Sequence, residues 1–280
     1  MKYKIKNLMI LFIGILGIVG IVGITTVNSQ LVNSPKEVEI SLSSTKDTYR
    51  LGETPYFDII LKNKGNEKIS FINSFNVYTG GISIYVSKKN KHQFKEYLNR
   101  AWGIDDTLYK NLTLNQNESK IQTIALLWND KPKIADTLSP EVIKRATEGK
   151  INTDYVFADI GTYFVKVTYA IHFLDEKKSF LIESEPIKIT IEEPKGKDLE
   201  VWKKIKDDGN FAYFIQEGDF FIPSYKTEER EKFLNEIEQI INQYPNSFYA
   251  PSLRQSLTKF RVNEAKRQEF GQKMQKAKPQ

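Results

Sequence analysis

From Glu37 to Ile191 apolar residues recur at every second position in short runs. In Glu37–Ser43, Val38, Ile40 and Leu42 fall on one side and Glu39 and Ser41 on the other. Such alternation puts one face of a strand in a core and the other in water. Tyr56–Leu61 repeats the pattern and stops at the turn-like Lys62-Asn-Lys-Gly-Asn66. Ile69, Phe71 and Val77, then Ile82, Ile84 and Val86, then Leu112 and Leu114 predict further short strands. Ile121–Leu127 follows, Thr162–Phe173 is the strongest, and Phe180–Ile191 carries the last. Thr48–Pro55, punctuated by Gly52 and Pro55, predicts a turn region. Roughly seven to nine strands without an intervening helical pattern predict antiparallel sheets stacked as a sandwich over 36–193.

After Pro194 the period changes. Leu199, Trp202 and Ile205 predict a helix closed near Asp208-Gly209, with Asn210 capping a second that carries Phe211, Phe214 and Ile215. Thr227 caps a third, whose stripe is Phe233, Leu234, Ile237, Ile240, Ile241 and Tyr244. Pro245-Asn-Ser247 ends it, and Pro251 opens a fourth with Leu253, Leu257 and Phe260. The expected fold is mainly β with α: the sandwich, then a small helical domain over 197–280. The joint Glu193-Pro-Lys-Gly196 is short, so the two are expected to pack together.

Two stretches break the strand rhythm. Residues 89–109 hold Phe94, Tyr97 and Trp102 among polar neighbours. A long insertion is where a sandwich often carries binding, so these three are the candidate binding residues. Asp105, Asp106 and Asn111 lie nearby, at a spacing that matches no calcium loop. Within residues 131–150, Ser139-Pro140 predicts the start of a short helix.

At the N-terminus Lys2, Lys4 and Lys6 precede 17 uninterrupted apolar residues, Leu8–Ile24. Basic residues before an apolar run are the layout of an export signal, and the length borders on that of a spanning helix. Residues 1–29 are therefore expected to be a signal peptide or a transmembrane anchor, with the rest of the chain outside the cytoplasm. Zero cysteines exclude disulfides, thiolate metal sites and a cysteine nucleophile, and an exported chain without cysteine fits a bacterial source. There the sequons at Asn111 and Asn117 carry no meaning.

The net charge of +6 is dispersed. Residues 30–193 hold 22 basic and 22 acidic side chains, and residues 194–280 hold 16 and 13. Nucleic-acid binders concentrate basic residues on one face, so no nucleic-acid partner is expected. The one local excess is Ala265–Gln280, where Lys266, Arg267, Lys273, Lys276 and Lys278 face only Glu269.

Several short motifs carry a resemblance. Tyr49-Arg-Leu-Gly-Glu53, Ile59-Ile-Leu-Lys-Asn-Lys-Gly65, Leu112-Thr-Leu114 and Gly161-Thr-Tyr163 resemble bacterial exported immunoglobulin-like β-sandwiches, including the proteinase-inhibitor-like and adhesion-related groups. Asp159-Ile-Gly-Thr-Tyr163 reads as a tyrosine corner, in which the Tyr hydroxyl bonds back to the backbone. Val165 stands where antibody domains have a cysteine. Residues 227–262, with the join Tyr244-Pro-Asn-Ser-Phe-Tyr-Ala250, resemble one tetratricopeptide-type hairpin. The first resemblance implies a fold and no activity. The second implies protein binding in arrays of several units, of which this chain has one.

No nucleophile elbow, H-E-x-x-H, P-loop or dinucleotide fingerprint is present, and the two histidines, His92 and His172, form no motif. The chain therefore reads as a non-enzymatic, extracytoplasmic binding or structural protein of the bacterial envelope, with no catalytic residues, cofactor or metal. Its expected partner is a protein or an envelope polymer, with the membrane reached through an uncleaved N-terminal helix. The alternative is an inhibitor of secreted proteases, and behind it a cryptic cell-wall hydrolase.

Overall fold

The computed structural model describes residues 37–71, 75–77, 81–91, 93–97, 111–130, 153–172, 179–220 and 222–276. The basic-apolar segment 1–29, His92, Trp102 with Asp105 and Asp106, and the Ser139-Pro140 helix start lie outside the described residues. Among the described residues no helix is long and apolar enough to cross a membrane.

Thirteen strands and four helices are described. The strands are β1 (Val38–Ser44), β2 (Thr48–Arg50), β3 (Tyr56–Asn63), β4 (Ile69–Phe71), β5 (Ile82–Lys88), β6 (Lys95–Tyr97), β7 (Leu112–Leu114), β8 (Ser119–Ala125), β9 (Trp128–Asp130), β10 (Thr153–Tyr155), β11 (Gly161–His172), β12 (Ser179–Glu183) and β13 (Ile187–Glu192). The helices are α1 (Lys197–Ile205), α2 (Gly209–Glu217), α3 (Thr227–Gln243) and α4 (Tyr249–Lys276).

Two sheets dominate. One has the order β1-β3-β8; the other has β2-β13-β11-β5-β6, with β12 also on β11. All pairings are antiparallel except β13 with β2. Two small ribbons, β10-β9 and β4-β7, complete the strands. The alternating apolar positions face each other across the layers. Val38, Ile40, Phe57, Ile59 and Leu61 of the smaller sheet are buried, as are Ile84, Val165, Val167, Ile171 and Ile189 of the larger. β1 lies across β11, β12 and β13. The fold is thus mainly β with α, as the patterning implies.

The structure departs from the sequence reading at four short strands, β2, β6, β9 and β10, none of which the patterning predicts, and at the last predicted strand. The predicted last strand is divided into β12 and β13, which share one edge of β11 in succession. The break is at Ser184–Pro186, where proline has no N–H for the ladder. The Ser184 hydroxyl accepts from Val167 N at 3.1 Å there. In the expected turn region, Thr48–Arg50 instead pairs in parallel with β13, burying Tyr49. That pairing joins residues some 140 positions apart, so no local pattern announces it.

The helices pack through the predicted stripes, with Trp202, Ile205, Phe211, Phe214, Phe233, Ile237, Ile240 and Phe260 all buried. Their caps differ from expectation. Asp208, rather than Asn210, caps α2 and accepts from Asn210 N at 2.9 Å. Thr227 is the first residue of α3, whose cap position is Lys226 without a side-chain bond. Helices and sandwich share one core, and Val32–Gln280 is one compact unit. The Tyr155 hydroxyl donates to Ile205 O at 3.0 Å, and the Tyr249 hydroxyl donates to Leu51 O at 2.5 Å. Gln216 Oε1 accepts from Leu127 N at 2.9 Å and Trp128 N at 2.8 Å.

Candidate functional site

β11 projects Tyr163, Val165, Val167, Tyr169 and Ile171 inward. On its other face Phe164, Lys166 and Ala170 are half-buried and His172 is exposed, while Thr168 is buried there too. The antiparallel register sets Lys166 opposite Tyr85 of β5, and Phe164 between Ser87 and Lys188 of β13. The outer face of the larger sheet thus gains a patch of aromatic rings interleaved with lysines.

Lys166 is its centre. Its ammonium lies 4.7 Å from the Phe94 ring centroid and 5.6 Å from that of Tyr85. It also pairs with Glu183 at 2.8 Å, and its side chain is only 18% exposed against 52% for Glu183. Lys91 lies 5.6 Å over Phe164. An ammonium over a ring face is attracted by the ring quadrupole, by about 0.5–1 kcal/mol at an exposed site. These contacts bring Tyr85, Phe94 and Phe164 together with Lys166 and Lys91 on one face.

Phe94 therefore lies at the rim of this face. Tyr97 does not: it is buried, and its hydroxyl donates to Trp128 O at 2.6 Å and accepts from Gln216 Nε2 at 3.4 Å. The two candidates occupy opposite sides of the sheet, because Phe94 precedes β6 while Tyr97 points inward from it. Trp102 lies outside the described residues. Tyr85, Phe164, Lys166 and Lys91 were absent from the sequence-based candidates. The alternation of β11 alone marks Phe164 and Lys166 as outward; only the register adds Tyr85 and Lys188.

On the inner side of β5 and β6 a cleft of 450 Å³ is lined by Lys88, Lys95, Tyr97, Tyr155 and Tyr163. Lys88 donates to Asp159 Oδ2 at 2.6 Å, which holds its ammonium above the usual lysine range. The Tyr163 hydroxyl donates to Asp159 O at 2.9 Å and accepts from Asp159 N at 3.2 Å, closing the predicted tyrosine corner. Burial raises the Tyr163 pKa, opposed by the backbone bond. Both functional groups here are committed to structure. A second, polar groove of 680 Å³ runs between Lys204 of α1 and the Glu228, Lys232, Asn235 and Gln239 side of α3. Among the described residues no three His, Asp or Glu side chains gather in a metal-binding group. His172 stands exposed at the end of β11, opposite Ser179.

No protein-family model matches the chain. Solved structures with some similarity include a β-glucosidase from Erythrobacter marinus, with a TM-score of 0.27 and 10% identity over 55% of this chain. The chain spans only 15% of that enzyme. A CARDB domain from Pyrococcus furiosus gives 0.26 and 12%, over 57% of this chain and 100% of the domain. Spo0M, a sporulation control protein of Bacillus subtilis, gives 0.27 and 12%, over 62% of this chain and 56% of that one. At these scores none of the names passes to this chain.

Proposed function

We propose that this chain is a non-catalytic, extracytoplasmic binding protein of the bacterial cell envelope. In this reading an immunoglobulin-like sandwich presents its larger sheet to an envelope polymer. The observation that carries it is the lysine–aromatic face of Tyr85, Phe94, Phe164, Lys91 and Lys166. Ring faces stack on the flat faces of sugar rings, and lysines beside them favour anionic groups, so a charged glycan suits the surface. The basic-apolar segment 1–29 supports delivery outside the cytoplasm, as a signal or as an anchor. The inhibitor reading needs an exposed loop that enters a protease cleft, and residues 98–109 of the irregular stretch 89–109 lie outside the described residues.

The test is co-sedimentation with purified cell-wall polymer. The native chain is expected to bind. Phe164→Ala and Tyr85→Ala, whose circular dichroism should match the native spectrum, are each expected to weaken binding about tenfold, the order of one lost stacking contact. Binding that both variants retain in full overturns the assignment to this face, and absence of binding by the native chain overturns the polymer.

A further inference from the structure

We infer that the last turns of α4 form a membrane-contacting helix that lies against anionic lipid. This surface is separate from the sheet face and does not depend on it. α4 runs 28 residues against 17 in α3. The guanidinium of Arg230, in the first turns of α3, reaches Glu264 at 3.8 Å, so α4 continues past its partner from there. One more tether follows, the ion pair of Arg267 with Asp219. Beyond it Gln268, Glu269, Phe270, Gln272 and Lys273 are all exposed.

What this extension exposes is specific. Phe270 is 66% exposed and Val262 49%. At 3.6 residues per turn, Val262, Lys273, Lys266 and Phe270 fall within an arc of about 80° on one side of the helix. Lys266 and Lys273 are exposed as well. Glu269 is the single acid beside that arc, and from Ala265 to Gln280 five basic side chains meet one acidic one. A protein partner of ordinary kind would favour a larger apolar stripe. Two apolar side chains set between ammonium groups match the boundary of an anionic bilayer, where rings sit at headgroup depth and lysines meet phosphates. The charge complementarity selects the lipid surface, and the exposed ring selects its interface over bulk polymer.

The chain has no cysteine, so Met274→Cys gives a unique attachment point for an environment-sensitive nitrobenzoxadiazole probe in the full-length protein. With vesicles rich in phosphatidylglycerol the probe is expected to shift blue and to be quenched by brominated lipid. With phosphatidylcholine vesicles, or at high salt, the signal should vanish, because surface attraction falls off within a Debye length. Lys266→Gln with Lys273→Gln should lower partitioning about 25-fold, at roughly fivefold per basic residue near an anionic surface. Phe270→Ser should abolish the quenching. No shift on anionic vesicles overturns the proposal, as does a shift that the lysine and Phe270 variants leave unchanged. A shift produced by soluble polyglycerol phosphate but not by vesicles also overturns it. Phe164→Ala should leave the vesicle signal intact, so failure of the sheet-face reading and failure of this one are told apart.

Discussion

Asn63 is an amide with no solvent exposure at the end of β3. Its Nδ2 donates to Glu67 O at 2.7 Å, Leu114 O at 3.2 Å and Asn115 O at 3.1 Å, while Oδ1 accepts from Gly65 N at 2.9 Å. One side chain thus fixes the turn after β3 and ties it to the end of β7. In the sequence the same residue is only part of a strand-ending Asn-Lys-Gly motif, and nothing local marks it as buried. Asn63→Ala removes the amide partner of three carbonyls and an N–H; Asn115 O still accepts from Glu118 N, and each group left unpaired costs about 1–3 kcal/mol. The expected result is a loss of several kcal/mol, measured as a lower urea midpoint with an unchanged slope. A midpoint close to native would mean that water replaces the amide. Candidate binding residues show the same limit of legibility. Phe94, Tyr97 and Trp102 share a polar stretch, yet Phe94 and Tyr97 end on opposite sides of a sheet, because side-chain direction follows strand register rather than proximity along the chain.

Elements meet at Gly52. Its φ of +75° suits glycine, and a Cβ there would lie 2.6 Å from Cζ3 of Trp202 in α1. The turn after β2 is therefore shaped to admit a helix that begins some 150 residues later. Beside it Arg50 pairs with Asp198 at 3.1 Å, and Asp198 Oδ1 accepts from Ser247 Oγ and Phe248 N at the α3–α4 turn. Gly52→Ala combines left-handed strain of about 1–2 kcal/mol with overpacking of about 1–3 kcal/mol. It is expected to lower the melting temperature and to perturb Trp202 fluorescence. An unperturbed Trp202 would show that α1 docks without this turn. The helical stripes of α1 to α4 were readable because period 3.6 is local; the turn beneath α1 was readable only as a turn.

Across the whole molecule, Tyr155 and Tyr249 join the sandwich to the helices through their hydroxyls. Burial raises both far above the ordinary tyrosine value of 10.0, helped for Tyr155 by the nearby Asp208 and Asp207 charges and for Tyr249 by Tyr155 and Asp198. Tyr169, inside the sandwich, is raised by burial alone. A group with a raised folded pKa contributes its stability in full below the unfolded value and loses it as pH climbs toward the folded one. Stability should therefore be level with respect to these groups up to about pH 9 and fall steeply above pH 10, where the unfolded tyrosines ionise and the folded ones do not. The fall should appear as one transition by far-UV circular dichroism and by tyrosinate absorbance, because the junction is shared. Tyr155→Phe with Tyr249→Phe should flatten the alkaline slope. Two separated transitions would mean that sandwich and helices unfold independently.

The longer strands and the four helices in their order, the buried face of those elements, the tyrosine corner at Tyr163 and the neutral charge of the β region follow from the sequence by itself. They depend on periodicity and on contacts within a few residues, which a linear reading contains. The parallel β2–β13 pair, the burial of Tyr97 and Asn63, and the meeting of Tyr85, Phe94, Phe164 and Lys166 were decided only by the tertiary structure. Each depends on register between segments far apart in the chain, and a shift of one residue in that register would turn every one of those side chains to the opposite face.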